Sequence, residues 1–191
     1  MNHADFPLHD RDSAPDAAAA FDRAQATFGM IPNLTRKMAT SPALAQAYLE
    51  LTGLFEGCSL SAPERGVILL TVSRFHGCDY CMAAHSMTGR MTGLPDAAVD
   101  ALREDRPLAD QRLEALRQFA NAMLEKRGWV DAADLSAFRK AGFGEQQVLD
   151  LILGIGLKTL SNYTNHIAGT PVDEAFQNEH WTAPDTPAKR A

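Results

Sequence analysis

From "AAAAFDRAQATFG" at Ala17 onward, apolar residues return every three or four positions, the period of helices that turn one face inward. Gly29 and Pro32 interrupt the first run. The next, "SPALAQAYLELTGLFEG", has Ser41 as N-cap, Pro42 at the first helical position and Gly57 as its stop. In "SLSAPERGVILLTVSRFHG", Ser61 and Glu64 have the spacing of a capping box ahead of an apolar stretch, and Pro63 is tolerated in a first turn. Shorter helical patterns follow in "DYCMAAHSMTGRMTG", in "LPDAAVDALRED" with Pro95 at its start, and in "VDAADLSAFRKAG" ending at Gly142. Between them, "DQRLEALRQFANAMLEKRG" sets Leu113, Leu116, Phe119, Ala120 and Met123 on one face and closes at Gly128. The longest pattern, "GEQQVLDLILGIGLKTLSNYTNHIAG", has an apolar centre from Val148 to Leu160 that implies burial on most sides. No run alternates β-branched residues between hairpin turns. The expectation is an all-α protein of seven or eight helices joined by short loops.

A chain of 191 residues with 46% hydrophobic content can bury a core without disulfide staples. One helical domain is expected over residues 21–170, with an N-terminal arm at 1–20 and a C-terminal tail at 171–191. Because Pro171, Pro184 and Pro187 punctuate the tail, it is expected to pack loosely or to reach a neighbouring subunit. The 18 basic and 24 acidic residues give a net charge of −6, with no basic run. That balance argues against a surface that tracks phosphates, so no nucleic-acid partner is expected. The stretch from Val148 to Leu160 is too short and too broken by charge to span a bilayer. The start, "MNHADFPLHDRDSAPDAAAA", lacks the basic and apolar regions of a secretory signal, so the expected compartment is the cytoplasm. In that reducing setting a close cysteine pair reads as catalytic, redox-active or metal-binding rather than as a staple.

The pair lies in "FHGCDYCMAAHS". On a helix, Cys78, Cys81 and His85 fall at i, i+3 and i+7, along one stripe. Gly77 suits a tight entry to that helix, whose first turn favours thiolate through its dipole and unpaired N–H groups. An imidazole nearby can take the thiol proton directly or through water. A thiolate beside a second thiol can attack a peroxide, become a sulfenic acid and close a disulfide. The same three residues could instead be metal ligands, with a fourth from Cys58, His166 or water, although no second C-x-x-C or paired histidines accompany them. Inert core thiols are the third reading. Glu64 is read as a capping residue, His76 as a surface-loop imidazole and Cys58 as a loop thiol without a role. His166 belongs either to a hydrogen-bonded network at a helix end or to the site. Met82, Met87 and Met91 are read as adaptable core.

"SLSAPERGVILLTVSRFHGCDYCMAAHS", followed by "AGFGEQQVLDLILGIGLKTLSNYTNHIAGTP", resembles the alkylhydroperoxidase D-like / carboxymuconolactone decarboxylase superfamily, in its peroxidase-related branch. The resemblance runs from Phe28 to Phe176. It implies an all-α alkylhydroperoxidase D-like domain, a homo-oligomer (trimer or hexamer), and thiol-dependent reduction of hydroperoxides without haem or metal. It also implies re-reduction by a lipoyl or thioredoxin-like electron donor. By the same resemblance Cys81 is the peroxidatic thiol, Cys78 the resolving thiol and His85 part of a proton relay. Two departures stand out. The relay glutamate expected in an E-R-E pattern is Gly66 in Glu64-Arg65-Gly66, and the histidine found between the cysteines of some relatives is Tyr80. On the first departure the chain is expected to be a sluggish peroxidase that Gly66→Glu would accelerate. The competing functions are a carboxymuconolactone decarboxylase-like lyase, which needs no cysteine pair, and a non-enzymatic redox sensor with weak peroxidase activity.

Overall fold

The computed structural model describes residues 6–184; the ends of the expected arm and tail, residues 1–5 and 185–191 with Pro187, lie outside the described residues. A 3-10 turn at Pro15–Ala17 leads into α1 (Ala18–Phe28), which starts inside the stretch expected to be an arm. There follow α2 (Asn33–Met38), α3 (Pro42–Glu56), α4 (Ala62–His76), α5 (Asp79–Met91) and α6 (Asp96–Arg103). Then come α7 (Gln111–Glu125), α8 (Ala132–Lys140), α9 (Glu145–Ala168) and a 3-10 segment at Glu174–Glu179. The protein is all-α, and no strand occurs among the described residues. Among the described residues, eight of the nine α-helices have eight or more residues, in line with the expected seven or eight; the ninth, α2, is a six-residue helix too short to show a period.

The end signals act where the chain places them. Ser41 accepts a hydrogen bond from the Leu44 N–H at the head of α3. Ser61 and Glu64 form both halves of the capping box on α4, and Glu64 also accepts from Arg112 at 2.8 Å, which places it in a structural role. Gly29, Gly77 and Gly169 adopt left-handed conformations at the ends of α1, α4 and α9.

The α4 helix forms the centre of the fold, with α3, α5, α6, α7 and α9 packed around it. Its "VILLTV" run is apolar all round because it has neighbours all round: Val67, Ile68, Leu70 and Val72 are fully buried. A larger core joins α4 to α7 and α8 through Leu116, Phe119 and Phe138, while a second gathers Leu34, Met38, Leu49 and Phe176 about the two cysteines. Close approach of α9 to this centre depends on Gly154. A Cβ there would meet the Phe55 ring at 2.8 Å and Ile68 Cγ2 at 3.0 Å, whereas one on Gly156 would meet nothing within 4 Å. Gly154→Ala should therefore cost about 1–3 kcal/mol through overpacking, while Gly156→Ala should add up to about 1 kcal/mol through helix propensity. Thermal unfolding of the two variants should move the midpoint in opposite directions.

Two expectations are corrected. First, α9 is not buried on most sides within one chain: Leu149, Ile152, Tyr163 and Ile167 are 66%, 46%, 58% and 57% exposed. Their spacing puts them on one outward stripe. The apolar run is continuous in sequence, but only half of a helix lying on a globule can face it. Second, the segment after Gly169 does not pack loosely. It runs back over α5, where Asp173 accepts from the Tyr80 hydroxyl at 2.5 Å and from the Asn33 N–H at 3.0 Å. Phe176 meets the Tyr80 ring edge-on. Arg103 donates to the carbonyls of Glu179 and His180, and the Ala183 N–H donates to Asp79 Oδ1 at 2.9 Å. Single polar and aromatic anchors hold this strap, so it shows no periodicity. Among the described residues no helix is long and apolar enough to cross a membrane.

Candidate functional site

The site begins at the α4–α5 junction. Gly77, at φ 65°, reverses the chain in a conformation a side chain would resist, and Cys78 becomes the N-cap of α5. Cys81 is then the third residue of the helix, in the turn where the dipole and unpaired N–H groups favour an anion. Cys78 and Cys81 approach to 3.5 Å as free thiols. A side-chain rotation can close that gap to the ~2.05 Å of a disulfide. Both are 1% exposed.

The facing wall comes from α9. Lys158, Ser161, Asn162 and Asn165 lie at i, i+3, i+4 and i+7, and all four are buried, a polar stripe inside the longest helix. Asn165 Nδ2 donates to Cys81 Sγ at 3.2 Å and to Cys78 Sγ at 3.6 Å. The Ser161 hydroxyl is 3.8 Å from Cys81 Sγ. Lys158 Nζ lies 2.8 Å from His85 Nε2. An ammonium can only donate, so Nε2 accepts and the imidazole carries its proton on Nδ1.

These contacts treat the two thiols differently. Burial alone would raise Cys81, but the Cys78 S–H, the Lys158 charge and the Ser161 hydroxyl together hold it well below the ordinary thiol range. Cys78 is pushed up, first by its hydrogen bond to Cys81 and then by burial. Cys81 is thus the thiolate and Cys78 the thiol that donates to it. His85 is driven well below the usual imidazole range, first by burial and then by the Lys158 charge, so it stays neutral. It is joined to the sulfur through Lys158 rather than acting on the thiol alone.

Cys81, His85 and Lys158 share the wall of a cavity of about 550 Å³. Cys78 does not line it. Met30, Leu34, Tyr48, Phe55, Leu69 and Phe176 make the chamber largely apolar. Buried Gly66 also lines it, and a Cβ on Gly66 would meet Leu94 Cδ2 at 3.4 Å and Gly89 Cα at 3.9 Å.

Sequence reasoning placed Cys78, Cys81 and His85 on one stripe, and the structure brings all three to one place. It missed Lys158 and Ser161. The available signal was a set of polar residues at helical spacing inside the apolar "ILGIGLKTLSNYTN" stretch. His76 is not a loop residue: it ends α4, half-buried, with Nδ1 2.9 Å from Asn162 Oδ1. It braces the polar stripe from behind, facing a separate polar cleft that Arg74, Tyr163 and the exposed His166 also line. Cys58, half-buried after α3, takes no part in the pair. Tyr80, in the place of a histidine of some relatives, points away from the sulfurs to Asp173 and ties down the strap. Among the described residues no group of three or more His, Cys, Asp or Glu is arranged to hold a metal ion.

Residues 42–122, which contain α3 to α5 and the cysteine pair, match the model of the carboxymuconolactone decarboxylase family. Over this segment, less than half of its length, the chain is similar to that family. Solved structures share its fold over nearly the whole length. An uncharacterized peroxidase-related protein from Ralstonia eutropha JMP134, described as an alkylhydroperoxidase AhpD core, is 21% identical, with 92% of this chain and 95% of that chain covered and a TM-score of 0.80. An uncharacterized peroxidase-related protein from Silicibacter sp. TM1040 is 23% identical, with 91% and 93% covered and a TM-score of 0.76. The debrominase Bmp8, as a cysteine-to-alanine variant in complex with 2,3,4-tribromopyrrole, is 20% identical, with 94% and 96% covered and a TM-score of 0.77. No curated protein matches the chain. At these identities an all-α, alkylhydroperoxidase D-like fold is what is shared, and the chemistry has to be argued from the site.

Proposed function

We propose that this protein is a thiol-dependent hydroperoxide reductase, with Cys81 as the attacking sulfur and Cys78 as the resolving one. The observation that carries the reading is an asymmetry: Cys81 lines the cavity, while Cys78 sits 3.5 Å away, off its wall. A substrate in the chamber meets one sulfur, and that sulfur is the one its surroundings keep as thiolate. The thiolate attacks the terminal peroxide oxygen, the O–O bond breaks, and Cys81 becomes a sulfenic acid. Cys78 then attacks that sulfur, its proton leaves with the hydroxide as water, and the disulfide closes. A lipoyl or thioredoxin-like donor returns two electrons and two protons. Anaerobic titration tests this: one equivalent of an organic hydroperoxide should remove two thiols, Cys78 and Cys81, and dithiothreitol should restore both. Retention of both thiols, or a disulfide to Cys58, would overturn it.

A second reading, a carboxymuconolactone decarboxylase-like lyase, draws its support from the matched family model, and it predicts an activity indifferent to both cysteines. The likeness to a debrominase adds halogenated rings to the compounds worth testing in the 550 Å³ chamber. We also propose a homo-oligomer, trimer or hexamer, supported by the outward apolar stripe of α9. A particle in light scattering at the 20.8 kDa of one chain would count against it.

A further inference from the structure

Hydroperoxide reduction needs a proton as well as a nucleophile, because the leaving alkoxide is a strong base. The position of the expected relay glutamate is Gly66, packed beneath Leu94, and Glu64 is engaged at the helix cap with Ser61 and Arg112. His85 cannot be the donor through Nε2, which accepts from Lys158. Lys158 shares the chamber wall with Cys81 and carries a proton beside the reacting sulfur. Resting on the peroxidase reading above, we propose that Lys158 is the catalytic acid of this site: it takes the place of the absent carboxylate, holds the proton surrendered by Cys81, and passes it to the alkoxide as the O–O bond breaks.

The geometry supports each part. Lys158 is 1% exposed yet lines the cavity, so its ammonium is withdrawn from bulk water and available to a bound substrate. The charge it faces is the Cys81 thiolate, and the two together make the buried pair neutral overall. His85 Nε2 takes one of the three N–H bonds and fixes the direction of the rest, which makes His85 a positioning residue. The step balances. Cys81 S⁻ and ROOH give Cys81–SOH and RO⁻; sulfur loses two electrons to the O–O bond, and Lys158 converts RO⁻ to ROH and is left as the neutral amine. Disulfide closure releases water using the Cys78 proton. Reduction by a dithiol donor then returns one proton to Cys78 and one to Lys158, restoring the starting state.

An acid acting on the leaving group can be separated from a cation that only stabilises the thiolate. Lys158→Met and Lys158→Arg would be compared with wild type by ultraviolet thiolate titration and by single-turnover oxidation with two oxidants, cumene hydroperoxide and peracetic acid. Acetate leaves without needing a proton, whereas the cumyl alkoxide does need one. The titratable groups facing the sulfur, Cys78 and Lys158 with Tyr48 and His76 farther out, are unchanged apart from position 158. In Lys158→Met the thiolate should appear only at higher pH. At a pH where it is fully formed, the rate with cumene hydroperoxide should remain about 10²- to 10⁴-fold below wild type, while that with peracetic acid recovers to within about tenfold. Lys158→Arg should preserve the thiolate titration. Equal losses with both oxidants would reduce Lys158 to a thiolate stabiliser and overturn the acid role, as would an unchanged cumene hydroperoxide rate. A wild type that titrates as described but oxidises with neither compound would instead overturn the peroxidase reading on which this rests. Circular dichroism and thermal unfolding establish that each variant is folded before its rate is compared.

Discussion

Cys81→Ser should drop hydroperoxide consumption to the uncatalysed level, a loss of roughly 10⁴-fold or more, the scale that follows removal of an activated nucleophile. Cys78→Ser should behave differently. Its hydroxyl can still donate to the Cys81 sulfur, so the thiolate keeps a partner in the place of the Cys78 thiol. The first equivalent of peroxide should therefore be consumed at close to the normal rate, and turnover should then stop with Cys81 held as a sulfenic acid. Mass spectrometry after trapping with dimedone reads that state directly. The asymmetry is a strong test because both residues are 1% exposed and stand at the head of the same helix, one as its N-cap and one in its first turn, so simple accessibility would make the variants alike. Only the cavity wall and the direction of the hydrogen bond distinguish them. A burst from Cys81→Ser, or sustained turnover in Cys78→Ser, would reverse the roles of the two thiols.

The parts of this molecule that could be read from the chain are those fixed by neighbours in sequence. The Ser61–Glu64 box, the Pro42 start, the Gly77 reversal and the Cys78, Cys81, His85 stripe each depend on fewer than about ten residues and on helix geometry alone. Lys158 depends on something else. It acquires its role only when α9 lies against α5 and brings its Nζ to a histidine 73 positions earlier. In sequence it reads as a charge interrupting an apolar run, and the ordinary inference is that such a lysine faces solvent. The same limit affected the strap, whose anchors Asp173 and Phe176 are single residues paired with Tyr80. The absence of the relay carboxylate could be read from Gly66. Its replacement by a group of opposite charge from another helix could not, because the two positions become neighbours of one cavity only in the folded chain.

Gly66→Glu brings that difference to a measurement. If the site lacks only a carboxylate, the substitution should speed peroxide reduction, and it should also gain about 1 kcal/mol by replacing a mid-helix glycine. The surroundings of Gly66 lead us to expect the opposite on both counts. Gly66 is buried in α4, with Leu94 Cδ2 3.4 Å from where a Cβ would stand and the Gly89 backbone just beyond. Alanine fits there, because the atom it meets is the end of a flexible side chain. Glutamate must place its carboxylate against Leu94 or turn it into the apolar chamber, and an ionised carboxylate without a partner costs several kcal/mol. That exceeds the propensity gain, so Gly66→Glu should melt several degrees below wild type while Gly66→Ala should melt at or slightly above it, given roughly 2–4 °C per kcal/mol for a chain of this size. One escape for the new carboxylate is the Lys158 ammonium, which lines the same cavity. Taking it would leave the Cys81 thiolate without its counter-charge and raise the thiol, slowing the reaction at neutral pH. Both routes lead to a slower enzyme or an unchanged one. A Gly66→Glu variant that reduces cumene hydroperoxide faster than wild type, with Gly66→Gln as the uncharged control remaining slow, would restore the carboxylate relay and remove the need for Lys158.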